Sequence, residues 1–231
     1  MIITYSGARK VKSVKVVEKL TALTPASPFA GVTADDLGKI IGADGNLYAD
    51  VTAATDAGTT AVAKIAYVGS DAETSTTYNH GLALALEDVS DEKSWCSQKS
   101  AYCLATQYSS SYGDTGARVD VGGIANTDAL VGHATHTHAA AQAARNYGVT
   151  RPEGTSEWFL PSVGQWDKML TAVGGDEQLG LQTGNYWLSS ESNMYDMTSL
   201  AYYYENNSYH TFGSASKDVS TEYYVRACLA F

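Results

Sequence analysis

Residues 157–170, EWFLPSVGQWDKML, carry the clearest local signals in this chain of 231 residues. The hydrophobic run at 158–160 is typical of a short buried strand, and Pro161 ends it. Ser162 and Gln165 have the spacing of a capping box, which predicts a helix that begins after Ser162. The apolar residues that follow recur at helical spacing and would form one buried face. They are Trp166, Met169 and Leu170, and Gly174-Gly175 ends the helix.

Upstream, residues 37–69 have the pattern of antiparallel strands. Two short apolar runs flank Asp44-Gly45, a dipeptide typical of a hairpin turn. Residues 61–69, AVAKIAYVG, form a β-branched run that is typical of a buried strand. Asp44 and Asp50 lack EF-hand spacing, so we assign them to turn chemistry and not to a calcium site.

The other segments predict a mixture of strands, helices and loops. The apolar run after Gly81 predicts a strand, and residues 105–123 predict a long surface loop. The Ala-rich stretch 138–148 predicts a helix with Gly148 at its C-terminal cap. Residues 186–231 have no helical period and predict antiparallel strands. We therefore expect an α+β fold with two helices, short antiparallel strands and long loops.

The first residues differ from the rest of the chain. Alternating Val and polar residues at 10–20 predict a strand, and Pro25 and Pro28 indicate a linker. We assign 1–33 to an N-terminal extension or the end of a preceding module, and 34–231 to one domain. No signal peptide is visible, and no apolar run is long enough to span a bilayer, so we expect no membrane insertion.

The composition excludes several classes of protein. Lys+Arg 15 against Asp+Glu 25 gives a net charge of −10, which argues against binding to nucleic acid or to an anionic membrane. Only 17% of the residues are charged, while Tyr 16 far exceeds Phe 4. A surface built from hydroxyl and amide groups favours an extracellular or virion protein over a cytosolic enzyme.

The three cysteines leave two interpretations open. Cys96 and Cys103 are seven residues apart, so a local disulfide between them is one option. Buried free thiols, Cys228 included, are the simpler interpretation. The absence of a CxxC motif argues against a structural zinc site.

The motif GHATHTH at 132–138 is a candidate metal site. Its imidazoles, at His133, His136 and His138, suit zinc, copper or nickel. No carboxylate follows at helical spacing, and the motif also fits the solvated start of the Ala-rich helix. We predict no metal and no cofactor. The chain contains no P-loop, no Gly-x-Ser-x-Gly and no G-x-G-x-x-G, so none of these catalytic or phosphate-binding motifs indicates an enzyme.

Residues 186–231 have the composition of a recognition surface. They hold eight of the 16 tyrosines together with eight serines. Tyrosine offers a large amphipathic contact area at low entropic cost, while Ser and Asn supply adaptable hydrogen bonds. Tyrosine is also a good strand former. Tyr202 and Tyr204 share one face of a strand and Tyr203 the other, so we expect at least one face to be core.

Three stretches together carry a resemblance to a known family: WFLPSVGQWDKML, YWLSSES and the terminal YYVRACLAF. From about Asp36 to Phe231 the chain resembles the C-type-lectin-fold variable proteins of diversity-generating retroelements, which occur in phages and bacteria. The resemblance implies a display scaffold whose C-terminal region, about 186–231, is rewritten at adenines. Asn-type codons rewritten in this way never give Met, Trp, Glu, Gln or Lys.

The resemblance implies a set of variable, ligand-binding positions. They are Tyr195, Asp196, Tyr203, Asn206, Asn207, Ser208, Tyr209, His210 and Phe212. It excludes Met194, Met197, Glu205 and Lys217, and it makes Trp187, Arg226 and Phe231 scaffold. The chain departs from the family at 226–228, where Arg-Ala-Cys replaces the frequent Arg-Pro-Val, and at Ala201-Tyr202.

The resemblance implies a non-enzymatic protein that binds a protein or glycan receptor on a cell surface. It would act as a phage receptor-binding protein or a cell-surface adhesin, in multivalent display on a fibre or pilus, and would be located on a virion tail or the bacterial surface. One alternative is an enzyme on the related sulfatase-modifying, formylglycine-generating fold, which needs reactive cysteines. The other is a calcium-dependent sugar-binding lectin, whose Glu-Pro-Asn and Gln-Pro-Asp triplets are absent here.

Overall fold

The computed structural model describes six stretches of the chain: 27–89, 91–98, 102–111, 114–193, 200–207 and 209–231. The strand predicted at 10–20 lies outside them. Within these stretches the fold is α+β, as the sequence predicts. No helix in the described residues is both long enough and apolar enough to cross a membrane.

The described residues contain four α-helices, so the prediction of two was wrong. The helices are α1 (Val51–Asp56), α2 (Gly123–Val131), α3 (Ala139–Arg145) and α4 (Val163–Val173). Short 3-10 helices lie at Ala34–Asp36, Gly116–Val119 and Asp176–Leu179. Helix α1 was missed because it is only six residues long; the side chain of Asp50 caps it by accepting from the backbone N–H of Ala53 at 2.8 Å.

The strands are short, apart from the long strands β3, β9 and β10. They are β1 (Ile40–Gly42), β2 (Leu47–Tyr48), β3 (Ala61–Val68), β4 (Gly81–Ala85), β5 (Lys93–Ser94), β6 (Gln107–Tyr108), β7 (Ser110–Ser111), β8 (Asp114–Thr115), β9 (Gly184–Ser192), β10 (Leu200–Asn206), β11 (Thr211–Ser216), β12 (Glu222–Tyr223) and β13 (Cys228–Ala230).

Two sheets form the frame of the molecule. The first has the order β13-β4-β3-β1-β2, and all of its pairs are antiparallel. The second has the order β11-β10-β9-β6, in which only β6 and β9 run parallel. The first sheet contains the predicted hairpin, whose turn includes Gly45 at φ +80°. The last strand, β13, pairs with β4 and so forms one edge of the first sheet.

Helix α4 begins and ends where the sequence predicts. Gln165 accepts the backbone N–H of Ser162 at 3.0 Å, and the two residues form the capping box. Gly174 ends the helix in the left-handed conformation at φ +83°. Trp166 and Met169 are fully buried between the two sheets. The upstream run at 158–160 forms only a single β-bridge, from Phe159 to Cys228.

Two predicted segments differ in detail from the structure. The helix expected at 138–148 is the shorter α3, which ends at Arg145 with Asn146 as its cap instead of Gly148. A separate helix, α2, precedes it and ends at Gly132. The described parts of 105–123 contain three two-residue strands and a 3-10 helix, so this segment is not a plain loop.

The described end of the N-terminal segment packs on the domain core. Phe29 and Val32 are buried, and the Phe29 ring lies 5.2 Å from the ring of Phe231. Phe231 is itself 2% exposed. Residues 27–33 are therefore in contact with the domain that the sequence predicts to begin at residue 34.

Candidate functional site

The β10–β11 hairpin carries the candidate site. Its strands pair in register from Leu200↔Ser216 to Glu205↔Thr211. The rings of Tyr202 and Tyr204 lie beneath the sheet and are 1% and 3% exposed. This confirms that one face of the tyrosine-rich strand is core, so these two tyrosines support the site and do not form its surface.

The loop that joins the two strands projects into solvent. Tyr209 is 72% exposed, the largest exposure of any aromatic side chain in the described residues. Its backbone N–H donates to Oδ1 of Asn207 at 3.0 Å, an Asx-type turn that fixes the direction of the loop. His210 has φ +46°, a left-handed conformation that His tolerates better than most residues.

Two hydrogen bonds attach this loop to the segment that follows α4. Nδ1 of His210 lies 2.5 Å from Oδ2 of Asp176, and the Asn206 amide donates to the carbonyl of Gln182 at 2.7 Å. The Tyr204 hydroxyl also donates to Asp176, at 2.9 Å. Burial alone would raise the pKa of Asp176, but the hydrogen bonds from His210 and Tyr204 outweigh it and lower that pKa.

A cavity of about 440 Å³ lies between the loop and this segment. It is open to solvent on one side, and its polar groups are amides, a hydroxyl, an imidazole and two carboxylates. Its lining consists of Asp176, Glu177, Leu181, Thr183, Asn206, Asn207 and His210. Its described lining offers hydrogen bonds and negative charge to a ligand.

The structure places the nine predicted positions in three groups. Tyr195, Asp196 and Ser208 lie outside the described residues. Four positions lie together at the loop and the cavity: Asn206, Asn207, Tyr209 and His210. The other two lie within the hairpin strands, at Tyr203 and Phe212.

Phe212 corrects the prediction of an exposed ring. It is 3% exposed and packs against Tyr204, with ring centroids 5.3 Å apart, while the Arg118 guanidinium lies 4.9 Å from its ring centre. The reason is register, because Phe212 is paired directly with Tyr204 and points to the same buried face. Tyr203, on the other face, is half-buried, with its ring 5.0 Å from that of Tyr223.

The positions assigned to scaffold are buried. Trp187 is fully buried, and its indole N–H donates to the carbonyl of Lys93 at 2.7 Å. Lys217, which the resemblance only excludes from the variable set, also has no exposed surface and forms an ion pair with Glu191, which is equally buried. Arg226 is 2% exposed and pairs with Asp88.

Sequence reasoning missed the partners of the loop. Asp176 and Gln182 are 34 and 24 residues from the side chains that they bind. Nothing in their local pattern distinguishes them from other polar residues near a helix end. The one sequence feature that could have pointed to them is Gly174-Gly175. It ends α4, so the segment that contacts the loop begins there.

Comparison with known proteins gives one result on the fold. No protein-family model matches the chain, and no curated protein matches it in sequence. The crystal structure of a fimbrial protein from Bacteroides ovatus is similar, with a TM-score of 0.55 and 14% sequence identity over 84% of this chain. This chain spans 48% of that protein's length. At such low identity the likeness shows a shared fold alone.

Proposed function

We propose that this chain is a non-enzymatic binding module whose ligand contacts the β10–β11 loop and the adjoining cavity. The observation that carries the proposal is the placement of Asn206, Asn207, Tyr209 and His210 at one site, on a hairpin in which Tyr202 and Tyr204 are core. An exposed ring surrounded by amides is the composition of a recognition surface.

We further propose a C-type-lectin-like fold and membership of the variable proteins of diversity-generating retroelements. Two observations support this. Tyr209 and His210, which adenine rewriting can produce, are exposed at the loop, whereas Lys217, which it cannot produce, is fully buried. The excluded Glu205 bonds to the amide of Asn207 at 2.5 Å and so supports the loop.

We propose that the protein acts at a cell or virion surface as an adhesin or receptor-binding protein, in several copies on a fibre or pilus. The Bacteroides ovatus protein of similar fold is described as fimbrial, which supports a surface role. The acidic, hydroxyl-rich composition is in keeping with that location. Multiple copies would raise the avidity of a modest single site.

The DNA downstream of the coding sequence tests the family assignment. A near-copy of the 3′ end that differs only at adenines would support it, and its absence would contradict it. Variants sequenced from such a locus should differ at Asn206, Asn207, Tyr209 and His210. Phe212 should stay constant although its residue type is permitted, because a polar residue there would be buried against Tyr204.

Binding itself is tested with the chain coupled to beads and applied to a glycan array and to an array of bacterial cell-surface proteins. Tyr209→Ala should abolish the strongest signal and leave the melting temperature unchanged. Tyr102→Ala is the matched control, because Tyr102 is an exposed tyrosine outside the hairpin, at 39% exposure. Equal loss of signal in both variants, or a signal that Tyr209→Ala leaves intact, would refute the placement of the site.

A further inference from the structure

Three metal-ligating side chains meet away from the candidate binding site. They are Cys96, which follows β5, Cys103, and His138, which precedes α3. Their ligand atoms, two sulfurs and one ring nitrogen, all lie within 4.8 Å of one another. Cys96 and His138 are fully buried, and Cys103 is partly buried. The fold thus brings together two thiols that are near in sequence and an imidazole that is distant from both.

Backbone contacts hold the first and last of these segments side by side. Ser97 donates its backbone N–H to the carbonyl of Thr137 at 2.8 Å, and Thr137 donates its own to Oγ of Ser97 at 3.0 Å. The indole of Trp95 packs edge-on against the His138 ring, with centroids 5.3 Å apart. These contacts position the cluster without using a sulfur or a ring nitrogen as a hydrogen-bonding atom.

The imidazole of His138 provides a second observation, independent of the clustering, that points to a bound ligand. The residue has no exposed surface, and neither Nδ1 nor Nε2 has a hydrogen-bond partner among the described residues. A buried polar atom without a partner costs about 1–3 kcal/mol. A metal ion between His138 and the two sulfurs would give one ring nitrogen a bond at the place where it now has none.

One hydrogen-bond donor faces each of the two sulfurs. Gln98 donates its backbone N–H to Sγ of Cys96 at 3.4 Å, and the Lys217 ammonium lies 3.7 Å from Sγ of Cys103. These two donors would stabilise thiolate ligands.

We propose that Cys96, Cys103 and His138 bind a zinc ion, with a water molecule as the fourth ligand. Zinc takes two thiolates and an imidazole in tetrahedral geometry. Such geometry keeps ligand atoms about 3.5–3.8 Å apart, so the present separations of at most 4.8 Å need to close by little more than about 1 Å. The site uses none of the loop residues and is independent of the proposed function. It would replace the prediction of no metal.

The charges of the proposed site balance. Zn²⁺ would displace the thiol protons of Cys96 and Cys103, which leave to solvent. Two thiolates then neutralise the ion. The neighbouring Lys217–Glu191 pair is neutral as a whole, and its ammonium hydrogen-bonds to a ligand sulfur. No net charge would remain buried.

A disulfide between Cys96 and Cys103 is the competing outcome. It would consume both sulfurs and leave His138 buried without a partner. The zinc site accounts for all three side chains, whereas the disulfide accounts for two. In the structure both cysteines are in the reduced form, with no disulfide between them.

Cobalt binding tests the proposal, because Co²⁺ occupies zinc sites and reports thiolate ligands by a charge-transfer absorption. We expect the reduced, tag-free full chain to bind one Co²⁺ with that absorption, and Zn²⁺ to displace it. Cys96→Ser and His138→Gln should each weaken binding by about 100-fold or more, since loss of even an outer-shell partner costs 10–100-fold. His133→Ala is the matched control and should bind normally.

Thiol protection provides a readout that does not depend on a variant's folding. Zn²⁺ should slow alkylation of Cys96 and Cys103 in the unmodified protein, measured by mass spectrometry at each residue, while Cys228 reacts at the same slow rate with or without the metal. The proposal is overturned if the reduced protein binds no Co²⁺, or if His133→Ala removes binding while His138→Gln does not. It is equally overturned if Zn²⁺ leaves the alkylation of both thiols unchanged.

Discussion

Nδ1 of His210 lies 2.5 Å from Oδ2 of Asp176, which joins the β10–β11 loop to the segment after α4. Asp176 is 8% exposed, and the Tyr204 hydroxyl donates a hydrogen bond to the same oxygen, Oδ2. One carboxylate thus connects a core tyrosine to a surface histidine. A loop held in this way loses less conformational entropy when it binds a ligand than a free loop would.

Acid should weaken this connection. Because the pKa of Asp176 is lowered in the folded state, its ionised form stabilises the fold above the ordinary value of 3.8, and this contribution is lost as the pH falls through the folded pKa. At pH 6 we expect Asp176→Asn to reduce the free energy of unfolding by about 1.5 kcal/mol. Near pH 3 the difference between the two proteins should shrink. Urea unfolding at both pH values measures it.

Tyr204→Phe is the control for that experiment. It removes one of the two hydrogen bonds to Asp176 but keeps the carboxyl group, so its destabilisation should also be smaller at low pH. If the difference between wild type and Asp176→Asn were as large at pH 3 as at pH 6, the carboxylate would not be the stabilising species.

Local features of the fold were predictable from the sequence, and long-range ones were not. The capping box at Ser162 and the hairpin turn at Gly45 depend on residues within a few positions of each other. The orientation of Phe212 depends on its register with β10, which composition does not reveal. The sequence therefore predicts that the loop lies at the surface, whereas only the structure shows that the loop is attached at Asp176.

The buried Lys217–Glu191 pair should be sensitive to the loss of one partner. Glu191 also accepts the backbone N–H groups of Cys103 and Leu104, each at 2.9 Å. In metal-free protein, Lys217→Met would leave the carboxylate charged and buried without its cation, so we expect a loss of about 3–5 kcal/mol in the free energy of unfolding. Guanidinium unfolding in the presence of a chelator and a reductant is the measurement.

The double variant Lys217→Met with Glu191→Gln separates charge from packing. The amide introduced by Glu191→Gln keeps an oxygen for the two N–H groups and carries no charge, so the double variant should be more stable than Lys217→Met alone. If the double variant lost as much free energy of unfolding as Lys217→Met and Glu191→Gln lose together, the pair would not act as a unit.

Gly164 should not tolerate a methyl group, although it lies in a helix. A Cβ at this position would come within 2.4 Å of the carbonyl oxygen of Asp120 and 2.5 Å of that of Arg118. Both are backbone atoms, so we expect Gly164→Ala to lower stability by about 2 kcal/mol or more, despite the better helix propensity of Ala. Gly148→Ala, with nothing within 4 Å, should change stability by no more than about 0.5 kcal/mol. Thermal unfolding compares the two, and equal melting temperatures would contradict the close packing of α4.

Arg226 connects the C-terminal strand region to the segment that lines the binding cavity. Besides its ion pair with Asp88, it donates to the carbonyls of Ala85 at 3.0 Å and Leu86 at 2.9 Å. Its remaining nitrogen donates to the carbonyl of Gly180 at 3.1 Å, directly after the 3-10 helix that begins at Asp176. The guanidinium therefore holds in place the segment whose Asp176 binds the β10–β11 loop.

Arg226→Lys should destabilise the protein even though it keeps the positive charge. An ammonium is a point charge and cannot reach one carboxylate and three carbonyls on different sides, so buried acceptors would lose their donors. We expect a loss of about 3 kcal/mol in stability. Arg151→Lys is the matched control, because Arg151 is exposed and donates to a single carbonyl, that of Thr155. Amide exchange at 176–183 should quicken in Arg226→Lys but not in Arg151→Lys, and unchanged exchange there would show that this segment does not depend on Arg226.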